Sequence, residues 1–506
     1  MNFLKRFHPR ILFFLGFLSF GIGIGFGGYE NSPLHILLGG IIVLGIPIII
    51  GYGRWQILCI AGFFFLSGFF ITYLHQQERI NTYKYLYENV FERKNIQITG
   101  TIDKKMYTTD RSSVYRLLID NFDTEGHKKI ILPSLHASIM VEVPKNLDVH
   151  IDNKIQFTGT TLAGFSNIFQ LSGFEKYAWY HKLFGKAYLW SFDIKNKSEN
   201  ISFRESIQKS LKKIFFQGFP KDVTSVLLGI TIGNTDFMNG QLKDDFQKSG
   251  LTHILVVSGS NITFLILFLG IMTRSIALHR YIKRTIIVSL LLVYGYIVGW
   301  DVPIIRATVM GIIGYIALES GHKRSVLAFL ILVAWGILIF SPLALLYDVG
   351  FGLSFGATLG IIVFYSQVEE ILKKIPFLPR WIISIIGITL TASIGSFPVL
   401  IYHFGVYPIV SIFANIIIGG IIGPLLTLSL LYIILALIFP IGNILFYLGY
   451  FLFFGVKSIL WVAHFFAFFP SIQIIDPFRI PISLFIISIC IRYILVREDT
   501  KLFHSK

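Results

Sequence analysis

Charge is scarce in this chain. Of its 506 residues only 14% are Asp, Glu, Lys or Arg, against roughly 25% in an ordinary soluble domain. Cysteine is scarcer still. Cys59 and Cys490 lie in apolar runs at opposite ends of the sequence, which excludes a disulfide framework and a Cys-based metal site. There is no G-x-x-x-x-G-K-[ST] loop, no Cys-x-x-Cys pair and no His-Glu-x-x-His segment, and none of the 13 histidines has another histidine two residues away. These gaps exclude a nucleotide-hydrolysing motor and a histidine-ligated hydrolase within this chain. We therefore expect a protein that is not an enzyme, with no catalytic residue, no metal and no cofactor. No internal repeat is visible, which argues against a secondary transporter built from inverted halves.

What remains is apolar. Hydrophobic residues make up 54% of the sequence and the mean hydropathy is +0.69. The apolar runs are too long for the short alternating strands of an outer-membrane barrel, so the expected class is a polytopic α-helical membrane protein. Three runs, at 11–29, 33–51 and 55–75, follow a basic start of Lys5, Arg6 and Arg10. No small-residue cleavage site follows the first run, so it is read as a retained span with a cytoplasmic N-terminus. Ten further runs lie at 251–273, 285–300, 303–320, 325–341, 349–366, 381–402, 408–423, 425–439, 443–464 and 479–496. Basic clusters occupy alternate loops: Arg274, Arg280, Lys283 and Arg284, then Lys323 and Arg324, then Lys373, Lys374 and Arg380. That alternation is the positive-inside pattern, and it accounts for much of the net charge of +16. Thirteen runs would leave the C-terminus outside, yet Arg492, Arg497, Lys501 and Lys506 favour the inside. One run is therefore expected to be re-entrant or broken between Gly419 and Pro424, giving 11–13 membrane helices.

Between His75 and Lys221 charge becomes dense and no run is long enough to cross a bilayer. Four segments, Ile96–Asp103, Val114–Ile119, Ala137–Val143 and Lys154–Thr161, are β-rich or alternate apolar with polar residues, with turn-forming residues between the later ones. This pattern predicts a small β-barrel, of the five-stranded OB-like kind, outside the cytoplasmic membrane after the third helix. The expected organisation is thus 1–75 as three membrane helices, 76–220 as the extracytoplasmic β domain, 221–497 as the main membrane block and 498–506 as a short basic tail. Residues 76–220 carry 21 basic and 15 acidic side chains, a net +6. Within them Lys176, Tyr177, Trp179, Lys182 and Trp190 interleave cations with aromatics. Such a mixture suits a single nucleic-acid strand, with bases stacked and phosphates neutralised, and equally suits an amphipathic segment at a membrane interface.

Several polar residues fall inside or beside apolar runs, where they are expected to face protein or water rather than lipid. His253, Ser258, Gly259 and Asn261 enter the run at 251–273. Arg306 sits three residues into the next-but-one run, with Asp301 before it. Asp348 heads the run at 349–366, where a helix N-terminus favours a carboxylate. Asn415 lies mid-run, and Lys457 needs a partner that the sequence does not name. Gly352, Ser354 and Thr358 spread around a helix and read as packing positions.

Four of these stretches, in order, resemble the signatures of the ComEC family of competence proteins. Gly250-Leu251-Thr252-His253-Ile254-Leu255-Val256-Val257-Ser258-Gly259 is similar to its G-L-x-H segment. Pro303-Ile304-Ile305-Arg306-Ala307-Thr308-Val309-Met310 resembles its P-x-[VI]-R-A-x-x-M helix. Asp348 to Phe355, continuing to Gly360, resembles its D-x-G-F-x-L-S-F block, and Phe404-Gly405 with Ser411 and Ala414-Asn415 resembles its F-G…S…A-N segment. The resemblance implies a bacterial inner-membrane channel that passes single-stranded DNA into the cytoplasm during natural transformation. It makes His253, Ser258, Gly259, Asn261, Arg306, Asp348 and Asn415 candidates for the DNA path. It further implies membrane lipid, a separate DNA receptor, a separate nuclease and a cytoplasmic helicase-like motor as partners, and leaves homo-oligomerisation open. Many members carry a metallo-β-lactamase-like domain at the C-terminus; the sequence ends at Lys506 without its ligand motifs, so a chain lacking that domain is expected. Ser260-Asn261 stands where many members have Leu-His, which removes a protonatable group there. The rival class is a membrane enzyme or transporter acting on a lipid or cell-envelope precursor, against which no compact carboxylate pair or His-Asp cluster is found.

Overall fold

The computed structural model describes residues 53–88, 96–108, 112–124, 127–131, 137–144, 149, 153–158, 162–164, 178–188, 193–196, 203–257, 259–274, 279–300, 302–319, 326–438 and 443–473. The runs expected at 11–29, 33–51 and 479–496 lie outside these residues. The described residues fall into two compact units. One holds those up to Ser206 together with Leu338–Asp348; the other holds Ile207–Ile337 and those from Val349 onward.

The first unit begins with α1 (Gly53–Leu86), a helix of 34 residues. At 1.5 Å per residue it is about 50 Å long, well beyond a hydrocarbon core of about 30 Å. Its sequence changes character accordingly, from apolar at Cys59–Phe70 to polar after His75. The polar end packs into a sheet through Tyr83 and Leu86, which join Trp179 and Phe184 in the core of the unit. The Trp179 and Phe184 rings meet edge to face at 5.9 Å.

Eight strands follow: β1 (Ile96–Thr108), β2 (Ser112–Thr124), β3 (His127–Ile131), β4 (Ser138–Pro144), β5 (Lys154–Thr158), β6 (Leu162–Gly164), β7 (Leu183–Tyr188) and β8 (Asp193–Asn196). The four segments predicted as strands overlap β1, β2, β4 and β5, with residues 159–161 of the last outside the described residues. Pairing runs in the order β6-β7-β4-β2-β1-β5-β8, with β3 also on β2. The β1–β2 hairpin is antiparallel with three register shifts, whereas β4 and β7 are parallel. β4 is buried on both faces, because Ile139, Val141 and Val143 enter the main core while Met140 packs with Val114, Ala178 and Leu183 behind it. These pairings define an open sheet. Closure into the five-stranded barrel that the alternation predicts is not among them.

The second unit is helical: α2 (Phe203–Gly218), α3 (Lys221–Ile232), α4 (Gly240–Lys248), α5 (Gly259–Arg274), α6 (Arg280–Val298), α7 (Val302–Glu319), α8 (Val326–Phe340), α9 (Ala344–Tyr347), α10 (Val349–Leu372), α11 (Arg380–Phe404), α12 (Ser411–Ile438) and α13 (Asn443–Ala467), where the start of α2 up to Ser206, the end of α8 and α9 belong to the first unit. A two-residue strand pair joins Val406-Tyr407 to Ile472-Gln473. Among the described residues five helices are long and apolar enough to cross a membrane: α6, α10, α11, α12 and α13. Three shorter apolar helices accompany them, within α5, α7 and α8.

Two expectations are corrected here. The runs at 408–423 and 425–439 are one continuous helix, α12, with Pro424 inside it. A membrane helix tolerates proline where neighbours re-satisfy the freed backbone. Residues 207–218, counted with the β domain from their charge, instead group with the helical unit, whose core Leu211 and Phe215 enter. Phe215 stacks on Tyr432 of α12 at 6.3 Å and 8°.

Candidate functional site

The polar, Gly-rich stretch before His253 proves to hold a buried helix. α3 has 12 residues, all but Lys221 and Asp222 buried, and at about 18 Å it is too short to cross a bilayer. A short buried helix must satisfy its terminal carbonyls internally. Gly233, in the left-handed conformation at φ 71°, closes the end by donating to the Gly229 carbonyl, while Asn234 N–H donates to Leu228. Asn261 Nδ2 donates to the Ile230 carbonyl at 2.8 Å, and the Tyr294 hydroxyl to the Thr231 carbonyl at 2.7 Å. Asn261, only 3% exposed, is therefore a clamp from α5 on the end of α3. An unprotonatable amide performs this task fully.

The next turn is built by close approach. Gly250 has φ 73°, and a Cβ there would collide with Ser411 Cβ and stand 3.1 Å from Pro408. The first and fourth family-like segments thus meet at Gly250 and Ser411. His253 follows on a 3₁₀ turn (Thr252–Ile254), its ring exposed and its Nδ1 3.1 Å from the Gly250 carbonyl.

The second and third segments also meet. Arg306 on α7 is 2% exposed, and its guanidinium lies over the Phe351 ring of α10 at 5.8 Å. A cation on an aromatic face gains about 0.5–2 kcal/mol, more when desolvated. α5 ties the two pairs together. A Cβ on Gly311 of α7 would be 2.5 Å from Ile262, and one on Gly423 of α12 would be 2.5 Å from Phe264. All four segments therefore belong to one packed network with α5 at its centre.

Small residues set the next contact. Gly352, Gly356 and Gly360 repeat every fourth residue along α10 and face Val399, Gly395 and Thr391 of α11, which repeat likewise. A Cβ on Gly360 would strike the Thr391 carbonyl, and one on Gly395 the Gly356 carbonyl. The stripe is that of close helix approach in membranes. Gly352 belongs to it as expected, but Ser354 and Thr358 do not; Thr358 instead bonds back to the Ser354 carbonyl.

The remaining candidates are dispersed. Gly259 opens α5 with nothing near a would-be Cβ. Asp348 directly precedes α10 and is half-buried. Asn415 on α12 is half-buried and makes no side-chain hydrogen bond among the described residues. Lys457 acquires the partner that the sequence does not name: its Nζ lies 2.6 Å from Asp222 Oδ2 at the start of α3. Two turns further along α13, His464 Nδ1 lies 2.9 Å from Asp245 Oδ2 of α4. Among the described residues no three His, Cys, Asp or Glu side chains cluster as a metal site would need.

Of the aromatic and basic candidates, Lys176, Tyr177, Trp190 and Ser258 lie outside the described residues. Trp179 is fully buried and donates from Nε1 to Gln76 at 3.3 Å, so it is a core residue and offers no face to a base. Lys182 is partly exposed and pairs with Glu78 at 3.6 Å. The residue that sequence reasoning passes over is Arg79. It leaves α1, is 6% exposed and donates to the Trp179 and Tyr180 carbonyls. A lone arginine past the end of an apolar run was the available signal.

Repeated apolar helices, with polar side chains buried among them, define a multi-pass membrane protein. The sequence matches the family described as Competence protein over residues 230–499, and the chain belongs to that family. It is 26% identical to the ComE operon protein 3 of Bacillus subtilis over 45% of this chain and 29% of that protein. It is 23% identical to Recombination protein 2 of Haemophilus influenzae over 44% of this chain and 30% of that one. The matches therefore span less than a third of each relative's own length. No solved structure matches.

Proposed function

We propose that this protein is an inner-membrane channel for the uptake of single-stranded DNA into the cytoplasm during natural transformation. The observation that carries the reading is Arg306. It is a guanidinium sunk in an apolar helical block, held over Phe351, at the meeting point of two segments within the family match. At 2% exposed the guanidinium fastens α7 to α10 beside the path, and a carboxylate in its place would both break that contact and repel a phosphate backbone. His253, Asn415 and the exposed start of α5 are further candidates for the path, whereas Asn261 supports it by fixing α3. In this reading the N-terminus is cytoplasmic and the sheet unit stands outside, receiving or orienting the strand. A separate receptor, nuclease and helicase-like motor supply capture, strand removal and energy.

The test is uptake of labelled DNA by the native host, comparing deletion of the gene with Arg306→Glu and His253→Ala. The expected result is DNA retained outside the cytoplasm in the deletion and in Arg306→Glu, with at least tenfold less internalised label, and reduced internalisation in His253→Ala. Unchanged cytoplasmic uptake in the deletion overturns the reading and favours action on a lipid or cell-envelope precursor.

A further inference from the structure

Phe377 is the most exposed large apolar side chain of those described, at 100%. It is also one of only two non-glycine residues there with positive φ, at 69°. A bulky residue adopts that conformation reluctantly, and nothing among the described residues covers it. It sits at the tip of the connection between α10 and α11, two helices long and apolar enough to span. Around it Ile371, Ile375 and Trp381 are 62%, 49% and 65% exposed. Pro376 and Pro379 stiffen the connection. Three cations flank the tip. Lys373 is held by Glu369 at 2.9 Å, but Lys374 and Arg380 make no ion pair among the described residues.

We propose that residues 371–381 form an anchor for anionic phospholipid, with Phe377 and Trp381 dipping below the headgroups while Lys374 and Arg380 bind their phosphates. The position dictates the partner. Phe377 lies three residues from the start of α11, so an extended chain carries it at most about 10 Å from that helix end. The headgroup zone is itself about 5–8 Å deep on each side. A ring so tethered to two spans meets the interface, where aromatic and basic side chains together are stabilised. The excess of cations over acids in the tip selects a negatively charged leaflet. The proposal rests on the membrane spans and is independent of what the protein transports.

The full chain, with Cys59 and Cys490 replaced by Ala, is labelled with a fluorophore at Phe377→Cys in nanodiscs. One set contains phosphatidylcholine alone and one contains 30% phosphatidylglycerol. The expected result is strong quenching by spin-labelled lipid and weak quenching by aqueous iodide, with iodide access rising at least twofold in phosphatidylcholine alone. The further change Lys374→Gln with Arg380→Gln removes that difference. Efficient iodide quenching in both lipids overturns the proposal and makes the tip a knob for a soluble protein. Equal lipid quenching in both overturns the anionic selectivity. Because DNA uptake is not read, this outcome is separate from that of the transport test.

Discussion

Asn261 shows how a single side chain is misjudged when only its neighbours in sequence are known. An amide entering an apolar run reads as a pore lining, yet it caps α3 from the adjacent helix. Leaving a buried carbonyl without its donor costs about 1–3 kcal/mol. We expect Asn261→Ala to lower the thermal unfolding midpoint of the purified protein in detergent. Tyr294→Phe, which strips the Thr231 carbonyl of its donor, should do the same. The double variant should fall short of the sum, because both groups hold the same turn. A strictly additive loss, or none for Asn261→Ala, removes the clamp. Glu142 in the first unit makes the corresponding case for pH. Lys186 at 2.8 Å and the Ser112 hydroxyl at 2.5 Å hold its carboxyl below the ordinary carboxylate range, against a smaller opposing effect of burial. A group depressed on folding stabilises above its unfolded pKa and loses that contribution as pH falls through its folded one. Wild type should therefore unfold at a higher temperature than Glu142→Gln at pH 7, and the gap should close as pH drops below about 4. A gap that persists at acid pH would show that packing, and not the charge, is responsible. Arg306 was legible as a candidate from its place in an apolar run, and Lys457 as a residue in need of a partner. Phe351 and Asp222, their actual contacts, lie 45 and 235 positions away, and no local pattern reports such a pairing.

At the scale of elements, the hydrophobic runs located the long helices because a span needs about 20 apolar residues whatever its neighbours are. α3 escaped that criterion, being short and interrupted by Thr and Ser. Four of the strands were legible by pattern, but β3, β6, β7, β8 and the topology were not, since order depends on pairings as distant as Gln97 with Thr158, 61 positions apart. The contact of α10 with α11 rests on a glycine repeat that was in plain view but read with the wrong members. Here bulk is the decisive variable. Gly356→Val and Gly360→Val each place a branched side chain against backbone, where overpacking costs about 1–3 kcal/mol or more. Both should sharply reduce folded protein recovered from membranes. Gly314→Ala on α7 is the control, since a Cβ there meets nothing within 4 Å and alanine is the better helix former by about 1 kcal/mol. It should be neutral or stabilising. Equal tolerance at all three positions would mean that the α10–α11 seam is not tightly closed.

Over the whole molecule, the continuity of α12 bears on an inconsistency in the charge pattern. Counting 408–423 and 425–439 as two crossings makes thirteen runs and sends the tail outside, against its own Arg492, Arg497 and Lys501. One helix from Ser411 to Ile438 removes a crossing. If the runs at 11–29, 33–51 and 479–496, which lie outside the described residues, also cross, twelve crossings remain, and the proposed cytoplasmic N-terminus would go with a cytoplasmic tail. With the N-terminus cytoplasmic as proposed, the same parity predicts the clusters at Arg280–Arg284 and Lys373–Arg380 inside, and the turn at Gly405–Val410 outside. The energetic basis is that lysine and arginine beside short loops resist translocation, so that each cluster votes independently for the same side. A membrane-impermeant thiol reagent applied to intact spheroplasts tests this directly, using single cysteines in a background with Cys59 and Cys490 replaced. Gln97→Cys on β1 should react from outside. Lys374→Cys and Thr500→Cys should react only after the membrane is opened. Outside labelling at Thr500 with inside protection at Lys374 would restore the odd crossing and require a break elsewhere in the helical block. Inside protection at Gln97 would invert the first three crossings and place the sheet unit on the cytoplasmic face, where it could not meet an incoming strand first.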